Sequence, residues 1–391
     1  MLDVGLDTSA LDPNFKEHAA RGIGRYVKEL KNYFEANPPQ DVRVRFFQHN
    51  SFARLPLVER VLDRFPAGKT TLENQLLYPI RMGLSQRLGR DLLHFPAHMD
   101  APSWSTRKYI VTVLDMIPLV MEHLYRPECP GWRFELARWF ENRGIRGATL
   151  VLAISQNTAK DVNRILQIPF ERIVVTPLGV DSKFFEVEWG RDDEDLRRRY
   201  AIPSGRPLIL YVGGIDQRKN CRGLLCAFKE LLQIRREKKL DLPLLFMAGK
   251  IQTNRQFPKL KALITEFGLE PQVLMPGYVP DADLVKLYGI SSALCFLSYY
   301  EGFGLTPLEA MAAGLPVVSS NTSCMPEVLQ DAAIMVDPDA VSEAAQSLAA
   351  LLENRELARS YSERGRKQAM GFTWAKTGEL TLEAYRRFIK S

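Results

Sequence analysis

The chain has 391 residues, 46% hydrophobic and 25% charged, with 52 Lys+Arg against 46 Asp+Glu for a formal net charge of +6. That length suits two domains and that composition an ordinary globular protein, which excludes a disordered or low-complexity chain. No apolar run approaches the ~20 residues of a membrane span, no signal-peptide pattern follows Met1, and five cysteines (129, 221, 226, 295, 324), odd in number and without a CxxC pair, argue for reduced thiols in the cytoplasm rather than a disulfide framework or zinc site.

In chain order, Leu2 to Asp7 reads as a first strand. Arg21-Gly22-Ile23-Gly24-Arg25 then opens a helix running to about Phe34, and its two glycines serve either a turn or the close approach of backbone to a ligand. Val42 to Phe47 alternates as a second strand, and residues 52–90 carry a helical period without landmarks. Asp91 to Phe95 is a strand ending in His94-Phe95-Pro96-Ala97-His98. Pro96 forbids the helix that would make the two histidines a metal pair, and a position after a strand's carboxyl end makes His98 a candidate substrate contact. Tyr109 to Leu114 is a strand followed by Asp115, read either as a polar substrate contact or as a buried or capping group. Pro130 to Gly147 predicts a helix that mixes Trp132, Phe134, Trp139 and Phe140 with four arginines. It is either core on one side and solvated arginine on the other, or a surface that meets phospholipid. A strand over 149–154, a helix capped at Ser155 and a strand over 172–176 finish this half. Asp192 to Asp195 ahead of Arg197 to Arg199 predicts a short dipole-matched helix, within a linker spanning 182–206.

A second core opens with the apolar strand Pro207 to Val212. Gly213-Gly214-Ile215-Asp216-Gln217-Arg218-Lys219-Asn220 follows, ahead of a helix over 222–236, and its glycines and cations form a candidate anion site. Strands follow at 244–248 and 273–276. Asp281-Ala282-Asp283 has the form of a metal-binding Asp-x-Asp, but it directly precedes a helix over 284–288, where N-capping accounts for it.

The densest pattern is Ser291 to Ser320. Ala293 to Leu297 reads as a buried strand and Glu301-Gly302-Phe303-Gly304 as a turn. Thr306 is predicted to N-cap a helix with Pro307 at its first position and Glu309 closing a capping box, and Gly314 ends that helix before a strand at 316–319. Such a βαβ unit offers backbone N–H groups and a helix dipole to a diphosphate. Glu301 and Glu309, poor phosphate ligands, suit the hydroxyls of a sugar and a ribose.

The run Glu301-Gly302-Phe303-Gly304-Leu305-x-Pro307-Leu308-Glu309-Ala310-Met311-Ala312, with Gly314 and Pro316-Val317, resembles the Glu-x7-Glu donor motif of glycosyltransferase family 4. The resemblance, dense over 207–390 and scattered over 1–181, implies an α/β GT-B fold of two Rossmann-like doubly wound domains facing a central cleft. They would be an acceptor-side domain over 1–181 and a nucleotide-sugar domain over 207–373, with a terminal helix at 374–391 packing back on the first. It further implies a nucleotide-sugar donor, retention of anomeric configuration, and no metal or cofactor. Glu301 would meet the transferred sugar and Glu309 the ribose, with Gly302, Phe303, Gly304, Leu305 and Thr306 around the donor. Lys219 matches the family's diphosphate lysine. Arg218 stands in for a second cation that often follows the first glycine, where this chain has Gly214. Tyr278 and Val279 would meet the nucleobase. Gly22 and Gly24 match a loop over the diphosphate, with Arg25 and His98 on the acceptor side. The chain departs from the pattern at Leu114, where many members carry a histidine, so that a polar contact falls to Asp115 or is lost.

The Gly-Ile-Gly-Arg-Tyr and Gly-Gly-Ile-Asp-x-Arg-Lys-Asn features look most like bacterial mannosyltransferases of polysaccharide and lipopolysaccharide assembly. This suggests GDP-mannose, a glycan or lipid-linked acceptor, and a cytoplasmic enzyme with peripheral contact at the inner membrane face. A UDP-hexose donor is the alternative. A nucleotide-sugar epimerase and a non-catalytic binder of anionic partners are the rival classes, and no nucleic acid is expected.

Overall fold

The computed structural model describes residues 1–13, 22–48, 90–105, 107–125 and 131–390. The helical period read over 52–90 falls almost wholly outside them, as do Arg21 and Cys129. The described chain forms two units, Met1–Gly179 with Trp374–Ser391, and Val180–Thr373.

In the first unit, six parallel strands lie in the order β2-β1-β3-β4-β5-β6: β1 Leu2–Asp7, β2 Val42–Phe47, β3 Leu92–Phe95, β4 Tyr109–Val113, β5 Leu150–Ala153 and β6 Ile173–Val175. Inner strands such as β4 (YIVTV) are buried at every position, as a sheet covered on both faces requires, whereas the edge strand β2 turns Arg43 and Arg45 outward. Helices α1 (Gly22–Ala36), α2 (Ile117–Val120), α3 (Trp132–Gly147) and α4 (Gln156–Leu166) follow in sequence. Ser155 caps α4 as expected, accepting the Thr158 N–H at 3.0 Å.

In the second unit, the order is β12-β11-β10-β7-β8-β9: β7 Leu208–Val212, β8 Leu244–Ala248, β9 Val273–Gly277, β10 Ala293–Phe296, β11 Val317–Ser320 and β12 Ile334–Val336. Its helices are α5 (Glu194–Arg199), α6 (Cys221–Glu237), α7 (Phe257–Glu266), α8 (Asp281–Ile290), α9 (Leu305–Ala312), α10 (Met325–Leu329), α11 (Val341–Glu353) and α12 (Arg355–Ala369). The last helix, α13 (Trp374–Lys390), belongs to the first unit. It is held there by Tyr385, which stacks on Phe34 at 5.7 Å and hydrogen-bonds His94 Nδ1 at 2.7 Å.

Three local expectations change. Residues 182–206 are not a free linker but part of the second unit. Phe184 packs edge-on against Tyr288, Trp189 Nε1–H donates to Ser291 O at 2.9 Å, and Arg199 and Tyr200 both bind Asp283. Buried aromatic rings and a shared carboxylate fasten this segment to α8. The short helix inside it forms as expected, with Asp193 accepting the Leu196 N–H. Asp281 and Asp283 do not cap α8, whose N-cap is Pro280; each pairs with a cation of the protein instead, Lys183 and Arg199. Finally, α9 starts at Leu305, not after Thr306. Gly304, at φ 92°, turns the chain into the helix from the left-handed region and serves as N-cap without a side chain. Pro307 therefore occupies the third helical position, still within the first turn where its missing N–H costs nothing. Gly314 ends the helix as predicted, at φ 79°, with Leu315 N–H bonded to Ala310 O and Gly314 N–H to Met311 O.

Candidate active site

Sheet order decides which residues meet. Strands β7, β10 and β11 are neighbours although far apart in sequence, so the loops leaving their carboxyl ends converge. The loop after β7 carries Asp216, Arg218 and Lys219, and Asn220 closes it by capping α6 through the Gly223 N–H. The loop after β10 carries Glu301. The two are stitched by the Tyr299 N–H bonding Arg218 O at 2.8 Å.

At this junction Lys219 Nζ lies 2.6 Å from Glu301 Oε1, and an Arg218 terminal nitrogen 2.8 Å from Glu301 Oε2. Arg218 also donates to Tyr300 O at 3.0 Å, and its Nε pairs with Asp216 Oδ1 at 3.1 Å. Lys219 Nζ sits 5.0 Å above the Phe296 ring. Burial pushes the Glu301 carboxyl up, but the Lys219 and Arg218 charges overcome it and bring the group down to about 2. Glu301 is thus ionised, and by formal charge two basic side chains face two acidic ones.

The loop after β11 holds the same residue from behind. The Glu301 N–H donates to Ser323 Oγ at 3.1 Å, and the Cys324 thiol donates to Glu301 O at 3.3 Å. Burial and the Glu301 charge push that thiol well above its ordinary value, so it stays protonated and able to donate. Glu301 is fixed at its side chain and at both backbone polar groups. Just ahead lies the amino end of α9, where Leu305 and Thr306 are half-buried and Gly302, Phe303 and Gly304 are buried. Glu309, one turn into α9, is buried and accepts the Tyr288 hydroxyl at 3.2 Å instead of closing a capping box.

Of the other expected residues, Gly214 lies in the β7 loop and its carbonyl accepts the Tyr211 hydroxyl. After β9, Tyr278 is 64% exposed and Val279 is buried. The remaining ones belong to the first unit. Gly22, Gly24 and Arg25 lie inside the first turn of α1 rather than ahead of it. Asp115 follows β4, is half-buried and accepts the Ile117 N–H at 3.1 Å, with Leu114 buried beside it. His98 is buried, its Nε2 2.8 Å from Glu141 Oε1. Burial would lower its pKa, yet the Glu141 carboxylate raises it. His94 is buried as well and bridges Tyr385 to Thr112, so both histidines are internal groups of this unit. Asp216, Ser323, Cys324, Tyr288 and Glu141 are partners that pattern reading missed. Only Asp216 had a signal, its place inside the glycine-rich motif.

Comparison with known proteins bears on the family and the fold. Residues 20–184 match the model for Glycosyltransferase Family 4, and residues 192–368 the model for Glycosyl transferases group 1. The chain is 28% identical over 382 residues to the O-antigen chain mannosyltransferase B of Escherichia coli, covering 93% of this chain and 96% of that one. It is 28% identical over 295 residues to the serotype-specific mannosyltransferase WbdA of Escherichia coli, covering 75% of this chain but 34% of that longer protein. Anabaena Alr3699/HepE, solved in complex with UDP and glucose, superposes with a TM-score of 0.67 at 17% identity, covering 99% of each chain. The two parallel six-stranded sheets, the matched models and these relatives place the chain among the family 4 glycosyltransferases with the GT-B fold.

Proposed function

We propose that this glycosyltransferase moves mannose from GDP-mannose to a hydroxyl of a glycan or lipid-linked glycan, with retention at the anomeric carbon, in cell-surface polysaccharide synthesis. The observation that carries the reading is the meeting of Lys219, Arg218 and Glu301 ahead of the amino end of α9. Mannosyl transfer is the activity named for the full-length relative from Escherichia coli.

In this mechanism the departing diphosphate is stabilised by Lys219, Arg218 and the free N–H groups at the start of α9, a fixed set of dipoles and charges where negative charge develops. Glu301 orients the sugar hydroxyls and Glu309 the ribose. Tyr278 and Val279 flank the nucleobase, with Gly214 and residues Gly302 to Thr306 around the donor. No protein nucleophile is required, and the acceptor hydroxyl attacks from the face the leaving group vacates. Gly22, Gly24, Arg25, His98 and Asp115 serve the first unit's side of the reaction.

Calorimetry with GDP-mannose and UDP-glucose, followed by NMR of the transferred sugar, tests the reading. Lys219→Ala and Glu301→Ala should each lower transfer at least tenfold. Tight binding of UDP-glucose alone would replace the donor, and an inverted product the mechanism. Isomerisation of the donor without acceptor would point to the epimerase class, and unchanged turnover in both variants would remove the residue assignments.

A further inference from the structure

Trp104, Leu136 and Trp139 are 43%, 39% and 49% exposed, and all three lie on the first unit. Single exposed apolar side chains need no explanation, but these surround a cation. Leu136, Trp139 and Arg143 recur at spacings of three and four along α3 and so share one stripe. Trp104 stands beside it, its ring 5.8 Å from Trp139 and 5.3 Å from Phe140. The Arg143 guanidinium lies 5.2 Å from the Trp104 ring centroid and 5.6 Å from that of Trp139. Its Nε–H donates to Ser103 O at 3.1 Å, and among the described residues no carboxylate pairs with it. Arg138 on the same helix is by contrast held by Glu141 at 2.6 Å. On this helix Phe140 and Ile145 turn inward, whereas Trp139 is half-exposed, as is Trp104 beside the helix.

We propose that this stripe docks the enzyme on a lipid bilayer that carries anionic headgroups. Indoles settle at the depth where an apolar ring meets wet headgroups, and a guanidinium with open amino groups suits a lipid phosphate. Arg146, exposed one turn further along, adds positive charge to the same helix. A soluble sugar would also stack on an indole, but the unpaired cation shared by both rings favours an anionic surface.

Co-sedimentation of the full chain with vesicles tests this, comparing pure phosphatidylcholine with vesicles containing about one-third phosphatidylglycerol. The chain should pellet with the anionic vesicles, release on adding salt, and show a blue-shifted tryptophan emission when bound. Arg143→Gln should weaken binding about fivefold, the loss of one surface cation. The double variant Trp104→Ser with Trp139→Ser should abolish it, with both variants melting like the wild type. Equal binding to neutral vesicles, or variants that bind as the wild type does, would overturn the proposal. So would indoles that respond to soluble oligosaccharide while vesicles leave them unchanged.

Discussion

Glu301 is the residue on which the site turns, and its ionisation has a measurable consequence. Its folded-state pKa of about 2 lies below the ordinary 4.5. The stabilisation it supplies is therefore complete above 4.5 and is lost as pH falls toward 2. Glu301→Gln should flatten that part of the stability profile relative to wild type, as read by thermal melts between those pH values. It should also lower stability by about 3 kcal/mol near neutrality, because two largely buried cations lose their partner. Ser323 acts one step further back, on the Glu301 N–H. Ser323→Ala should cost about 1 kcal/mol of stability. Because it moves the carboxylate and not the donor's other contacts, kcat should fall more than KM rises, with Ser323→Thr restoring part of the loss. A purely structural serine would leave kcat unchanged in the surviving folded fraction.

At the scale of elements, α9 shows what the sequence disclosed and what it concealed. The strand–turn–helix–strand succession from Ala293 to Ser320 was legible because buried strands, glycines and proline punctuate it. The first turn was misread because Thr306-Pro307-x-Glu309 fits a capping box as well as it fits the second to fifth positions of a helix begun by glycine. Only the backbone angle at Gly304 distinguishes the two. Gly304→Ala tests this: at φ 92°, with Met325 Cε 2.9 Å from the new Cβ, it should cost about 1–2 kcal/mol. Thr306→Ala, which would remove a true N-cap, should leave the melting temperature nearly unchanged. The site was half legible for a similar reason. Motif residues such as Lys219, Arg218 and Glu301 stand out by spacing. Ser323 reaches the Glu301 backbone N–H and Tyr288 the Glu309 carboxylate across 22 and 21 residues, contacts that a linear pattern does not record.

For the molecule as a whole, the charge balance at Glu301 bears on metal dependence. The Asp-x-Asp carboxylates are committed to Lys183 and Arg199, and a donor diphosphate would meet Arg218 and Lys219. Transfer should therefore proceed at an unchanged rate in excess EDTA, as measured by nucleotide release. Abolition by EDTA and rescue by a divalent ion would show that the leaving group needs more positive charge than these two side chains supply.

The place of α13 in the first unit also matters during synthesis. The ribosome makes Met1–Gly179 before Val180–Thr373, yet the ring that closes on His94 is supplied by Tyr385, made after both. The stretch Val180–Thr373 is complete in sequence before its older neighbour is. Vectorial completion is thus inverted here: the earlier-made half can cover the His94 imidazole and the Phe34 ring with Tyr385 only after the whole second unit has been synthesised.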